Sequence, residues 1–256
     1  MKYFKFITLL LFSMLIACKS DDGMVVKNAK VTFDFTHNWD NTNVTNDDFN
    51  DIKYTNANGD ELSIERLRYL ISDITFQKTT GEKIVIEKYQ LVDLTKPETL
   101  TFNPDIEIPI GDYSSITITF GFDEEDNTDG TYLDLNSALW NVPTMLGGGY
   151  HYMQFEGKFI DNTATNTGFQ YHAIKAVDIT GATPNFQETF IDKNLGSISI
   201  TGDATIEIKM NIAEWFKNPN TWDLNTLHSV LMPNFNAQIM INENGQNVFS
   251  LGNITQ

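Results

Sequence analysis

The run "SISITGDATIEIKMNI", residues 197–212, decides how this chain folds. Ile198 and Ile200, then Ile206, Ile208, Met210 and Ile212, fall at every second position against polar neighbours. Successive side chains of a strand point to opposite faces, so this period suits one buried face and one wet face. The same alternation recurs in "KVTFDFTH" (30–37), "KIVIEKYQLVDL" (83–94), "SSITITFGF" (114–122), "YHYMQFEGKF" (150–159) and "AQIMI" (237–241). Clusters of Asn, Asp, Gly and Thr separate the runs, which is turn chemistry. The expected fold is all-β: an antiparallel β-sandwich or barrel-like sandwich.

Helical signals are confined to the C-terminal part. "NIAEWFKNP" (211–219) predicts a short helix that stops before Pro219, and a second is expected at residues 227–236, where Pro233 would kink or restart it. No internal repeat and no Ser/Pro-rich linker appears. One domain over residues 29–256 is the simplest organisation.

The first residues bear on the compartment. "MKYFKFITLLLFSMLIAC" places Lys2 and Lys5 before an apolar core and reads as a secretory signal over residues 1–17. It is too short for a stable bilayer span. Leu15-Ile16-Ala17-Cys18 resembles the lipobox of bacterial lipoproteins, in which the cysteine is lipidated. Cys18 is the single cysteine of the chain, and residues 18–28 would form the tether. "KSDDG" after it resembles the acidic export tag of Bacteroidetes surface lipoproteins. The expected location is therefore the outer membrane, lipid-anchored, facing the periplasm or the cell surface.

With Cys18 lipidated, no thiol remains for a disulfide or a thiolate metal site. Any metal must be held by His, Met, Asp, Glu or Asn. Removing Lys2 and Lys5 leaves 15 basic residues against 34 acidic ones, a net charge of −19. Such a field repels nucleic acid and attracts cations, so no nucleic-acid partner is expected.

The blocks "FDFTHNWD" (33–40), "GDELSIERLRYLISDITF" (59–76), "YQLVDL" (89–94), "PIGDYSSITITFGFDEEDNTDGTYLD" (109–134), "ALW" (138–140), "GGGYHYMQFEG" (147–157), "FQYHAI" (169–174) and "LHSVLM" (227–232) succeed one another in order. Together they resemble the MbnP-like family of secreted, β-rich copper-binding proteins, over nearly the whole chain after residue 28. The resemblance implies a periplasmic or extracellular protein that holds copper through histidines for acquisition, storage or delivery. It also implies a tryptophan oxidised to kynurenine by a dihaem peroxidase-like partner. His37 falls in the family's first-strand motif and His172 in its F-x-x-H motif. Trp140 matches the first tryptophan of the W-x-W-x-x-G-Y block and is the candidate for oxidation. The second tryptophan is absent here, and "VPTMLGGGYH" (142–151) takes its place.

The four histidines, His37, His151, His172 and His228, all fall at the ends of expected elements, where loops gather distant residues. Imidazole suits copper, and a cluster of His37, His151 and His172 is the expected site. His228, Met145 and Met153 are further candidates. Met153 has the strand parity of His151 and is expected on its face. Without metal, each histidine is a polar strand end, and Met153, Trp39 and Trp140 are packing residues.

A second constellation is "FDEEDNTDGTYLDLN" (122–136). Glu125, Asn127, Asp129 and Gly130 follow the first half of a calcium-loop pattern, but position twelve is Asn136 and not the bidentate Glu of an EF-hand. A calcium-stabilised β-loop drawn from Asp123, Glu125, Asn127, Asp129 and Asp134 is the alternative to a polar turn. Arg66 and Arg68 would share one strand face and are read as a structural pair that organises carboxylates such as Glu65 or Asp73 across a turn or strand.

No G-x-S-x-G, H-E-x-x-H or phosphate loop is present, so no enzymatic activity is expected. The competing reading is a surface module without functional copper, which presents Trp39, Trp222 and Tyr132 on loops to a glycan or protein.

Overall fold

The computed structural model describes residues 27–256; Cys18, the expected leader and most of the expected tether lie outside them. Nine strands have seven residues or more: β1 (Asn28–Trp39), β2 (Arg66–Lys78), β3 (Lys83–Asp93), β4 (Gly111–Phe120), β5 (Met153–Ile160), β6 (Asn166–Ala173), β7 (Ile191–Ile200), β8 (Ala204–Asn211) and β9 (Phe249–Thr255). They form two sheets. The smaller is built on β9, β8 and β1 in that order. In the larger, β2 is the hub: β3 lies along one edge, β4 and then β7 along the other, and β5 followed by β6 pairs with the first residues of β2.

The opening run divides between the sheets. β7 pairs with β4 in the larger sheet, the chain turns through residues 201–203, and β8 enters the smaller sheet between β1 and β9. Pairing between the long strands is antiparallel except for β1 with β8, which run parallel. Parallel neighbours need a long crossover, and here the whole larger sheet lies between them in sequence.

Alternation fills the space between the sheets. Val31, Phe33 and Phe35 of β1 and Ile206, Ile208 and Met210 of β8 meet Leu67, Tyr69, Ile71 and Phe76 of β2 in one buried cluster. Phe33 reaches Phe76 at 6.4 Å between ring centroids, and Phe35 meets Tyr69 edge-on at 6.2 Å. At Ser72 the register of β2 shifts, and Asp73 takes a left-handed φ of 45°.

A second, smaller core sits on the outer face of the larger sheet. Leu70 projects there, opposite in parity to Tyr69 and Ile71, and is covered by Phe122, Leu135, Trp140 and Tyr150. The covering segment, residues 121–152, carries the short helix α1 (Leu133–Ser137).

One expectation about a helix needs correction, and with it one about a strand. Residues 227–234 form turns, and the helix is α2 (Phe235–Gly245), so "AQIMI" is helical and not a strand. Its start follows Pro233: Asn234 caps it by accepting a hydrogen bond from Ala237 N at 3.1 Å. Ala237, Gln238, Ile241, Asn244 and Gly245 are buried, the spacing of a helix face. The short helix expected at "NIAEWFKNP" is present as a 3-10 helix over Ile212–Phe216, capped by Asn211 and ended before Pro219.

Candidate metal centre

Three strands bring the site together on the outer face of the larger sheet. Arg68 of β2, Gln154 of β5 and His172 of β6 are direct cross-strand neighbours and form one row. The next row adds Arg66, Glu156 and Gln170. His172 donates from Nε2 to Glu156 Oε1 at 2.9 Å, and Arg66 Nη1 donates to the same oxygen at 2.9 Å. The hydrogen bond from His172 leads the effects that hold the Glu156 carboxyl below its ordinary range; Arg66 adds to it, and burial opposes. Gln238 of α2 fixes the backbone here, donating to His172 O and accepting from Ile174 N, both at 2.9 Å.

The covering segment delivers the second imidazole. His151 Nδ1 lies 2.9 Å from the carbonyl oxygen of Trp140, which also accepts the His151 backbone N–H. A carbonyl can only accept, so Nδ1 carries the proton and the neutral ring keeps its lone pair on Nε2. That Nε2 is buried with no hydrogen-bond partner. Burial first, then the charges of His172 and Arg68, push His151 down to about 4 against the opposing pull of the Trp140 carbonyl, so the ring is neutral at physiological pH. The rings of His151 and His172 meet edge-on at 5.4 Å, and the Trp140 ring lies 5.7 Å from His151.

The glycines before His151 have a defined task. Gly147, Gly148 and Gly149 all hold left-handed φ values, of 104°, 69° and 75°. At Gly149 a Cβ would lie 2.4 Å from Asn127 Oδ1, the atom that accepts the Tyr150 N–H at 2.8 Å. Asn127 and Tyr150 thereby pin the chain immediately before His151.

The expected triple cluster does not form. His37 lies on the inner face of β1, between the sheets, with Nε2 3.0 Å from the Tyr69 hydroxyl. Period-two alternation sends it inward with Phe35, whereas His172 follows the outward parity of Arg68 and Gln154, so the larger sheet separates them. Burial holds His37 down at about 3. His228 packs on Phe159 with its Nδ1 at the Leu224 carbonyl, apart from the His151–His172 pair. Met145 is 76% exposed.

Met153 also departs from expectation. A bend at Tyr152 interrupts the alternation before β5 starts, so Met153 packs in the inter-sheet core with Phe155 while His151 stays on the outer face. The calcium candidates are used locally. Asp123 Oδ1 accepts from Glu125 N and Asp126 N, Asp129 accepts from Asn141, and Asp134 accepts from Tyr89. Among the described residues no three His, Cys, Asp or Glu side chains are gathered to hold an ion.

Sequence reasoning missed Glu156 and the company of Arg68. Arg68 donates to Gln154 Oε1 and to the Ala138 carbonyl and sits over the Trp140 ring, its Cζ 4.9 Å from the centroid. Glu65 pairs instead with Lys158. The alternation of "YMQFEGKF" (152–159) with "FQYH" (169–172) held the signal: once β5 and β6 pair, Glu156 lies one step diagonally from His172.

The donors the residues offer are imidazoles, which suit copper, zinc, iron or nickel. Both imidazoles are oriented by an oxygen acceptor on one nitrogen, which leaves the lone pair on the other, the arrangement found around metal-binding histidines. The fold and this site define a β protein built on two large sheets, with a histidine pair, His151 buried and His172 partly buried, where a covering segment meets the outer sheet face. The family model described as MbnP matches residues 28–236, and the chain belongs to that family. Among solved structures it is similar to MbnP from Methylosinus trichosporium, at 12% identity over 78% of this chain and 80% of that one, with a TM-score of 0.48. A comparison with curated proteins finds no match.

Proposed function

We propose that this protein is an extracytoplasmic copper carrier that holds its cargo at His151 and His172. The observation that carries the reading is the buried, unpartnered Nε2 of His151, whose other nitrogen is anchored on the Trp140 carbonyl. Leaving such an atom without a partner costs about 1–3 kcal/mol, which a bound ion would recover. Membership of the MbnP family supports copper as the ion, and imidazole donors suit it. His172 would supply the second nitrogen from Nδ1. Acquisition, storage or delivery is the role proposed for that site.

Cys18 is the proposed lipid anchor, and Trp140, buried against His151, is the tryptophan on which a dihaem peroxidase-like partner would act. The alternative reading as a surface module for a glycan or protein loses the aromatic part of its motive, because Trp39 and Trp222 are buried and Tyr132 packs on Phe122.

The test is competition with a chelator, using Cu(I) and Cu(II) separately on the protein. Copper retention is expected in the wild type, with a loss of at least tenfold in affinity in a double His151→Ala, His172→Ala variant and little change in His37→Ala. Failure of the wild type to retain either ion would refute the reading. Intact mass of the native protein reports the state of Cys18 and Trp140 in the same preparation.

A further inference from the structure

We infer that Arg68 sets which oxidation state of copper this site prefers, holding it toward Cu(I); the inference rests on the copper reading above. The guanidinium is fixed by three hydrogen bonds, from Nε and Nη2 to Gln154 Oε1 at 3.0 and 2.6 Å and from Nη1 to Ala138 O at 3.2 Å. All of these acceptors are neutral. Among the described residues Arg68 has no carboxylate within ion-pair distance, and the nearby Glu156 is engaged by Arg66 and His172. A positive charge that no carboxylate pairs directly is therefore built into the wall of the site, half-buried and pressed on the Trp140 ring, with the Asp93 and Glu156 carboxylates acting on it only at longer range.

Its placement gives the size of the effect. Arg68 and His172 lie in one row with Gln154 between them, so their backbones are two strand spacings, about 10 Å, apart. Cu(II) carries one more positive charge than Cu(I). For a guanidinium and an ion separated by about that much, with an effective dielectric near 20, one unit charge acting on another shifts an equilibrium by about tenfold. Neutral imidazoles do not offset that difference. Arg68 thus disfavours the oxidised ion more than the reduced one, whatever it also contributes as a clamp on Trp140.

A packing role and a charge role separate by experiment. Chelator competition with each oxidation state gives the ratio of Cu(I) to Cu(II) affinity. Arg68→Gln, and Arg68→Met as a second neutral replacement that still covers the indole, are expected to lower that ratio about tenfold. Arg68→Lys keeps the charge while losing the forked hydrogen bonds, and is expected to leave the ratio within threefold of wild type even where both affinities fall. Equal changes in both affinities, or an unchanged ratio in the neutral variants, would overturn the inference. The double His151→Ala, His172→Ala variant keeps the two claims apart. If it binds copper like wild type, the site reading fails and the inference with it; if it loses copper while the ratio ignores Arg68, the inference alone fails.

Discussion

His37 is the residue whose burial has the plainest consequence for stability. Desolvation holds its folded pKa at about 3, against about 6.5 in an unfolded chain. Between those values the unfolded chain binds a proton that the folded one refuses, so stability is lost as pH falls below about 6.5. The slope from this one group approaches about 1.4 kcal/mol per pH unit. Denaturant midpoints at pH 7, 6 and 5 are expected to fall for the wild type, and a His37→Gln variant is expected to lose about one proton's share of that slope. His151, held at about 4, supplies a remaining share with the same sign, so the variant's dependence flattens without vanishing. An unaltered slope would mean that His37 is not desolvated between the sheets.

The covering segment, residues 121–152, is the element that turns a sheet face into a site. It brings Trp140 and His151 over Leu70 and Arg68, and its last turn depends on a backbone that only glycine adopts without strain. Gly149→Ala is expected to cost about 1–3 kcal/mol, because the left-handed φ and the contact at Asn127 both oppose a Cβ. Thermal unfolding reads that cost, and the variant's copper affinity should fall with it. The same segment explains what could be read before folding. Strand alternation marked β1, β3, β4, β5 and β8 and placed Phe33 and Ile206 inside, whereas β2, with Tyr69, carried no such marking. It misled at Met153, since a single bend at Tyr152 reverses parity, and at "AQIMI", where five residues satisfy a strand or a helix equally and Pro233 with Asn234 decides. His151 and His172 were visible as candidates; their separation from His37 was not, because it depends on which sheet face each strand turns inward.

At the scale of the whole molecule, the connection from β7 to β8 makes two sheets into one fold. It carries the chain from the larger sheet into the centre of the smaller one, where β8 runs parallel to β1. Phe33 ties the layers together, since its ring meets Phe76 across the interface and Phe102 at the side. Phe33→Ala is expected to destabilise the protein by about 3–5 kcal/mol, measured by denaturant unfolding, with no selective effect on His151 or His172. The inner core and the outer site are physically separate, with the larger sheet between them. Core variants should therefore change stability without changing relative copper affinity, as long as the protein remains folded.

That separation makes nitrogen-resolved NMR of the four histidines, followed through addition of Cu(I), the most direct test. The expected result is that His151 Nδ1 and His172 Nε2 stay protonated while His151 Nε2 and His172 Nδ1 shift on binding, with His37 and His228 unmoved. A shift at His37, or a proton on His151 Nε2 in the copper-free protein, would contradict it.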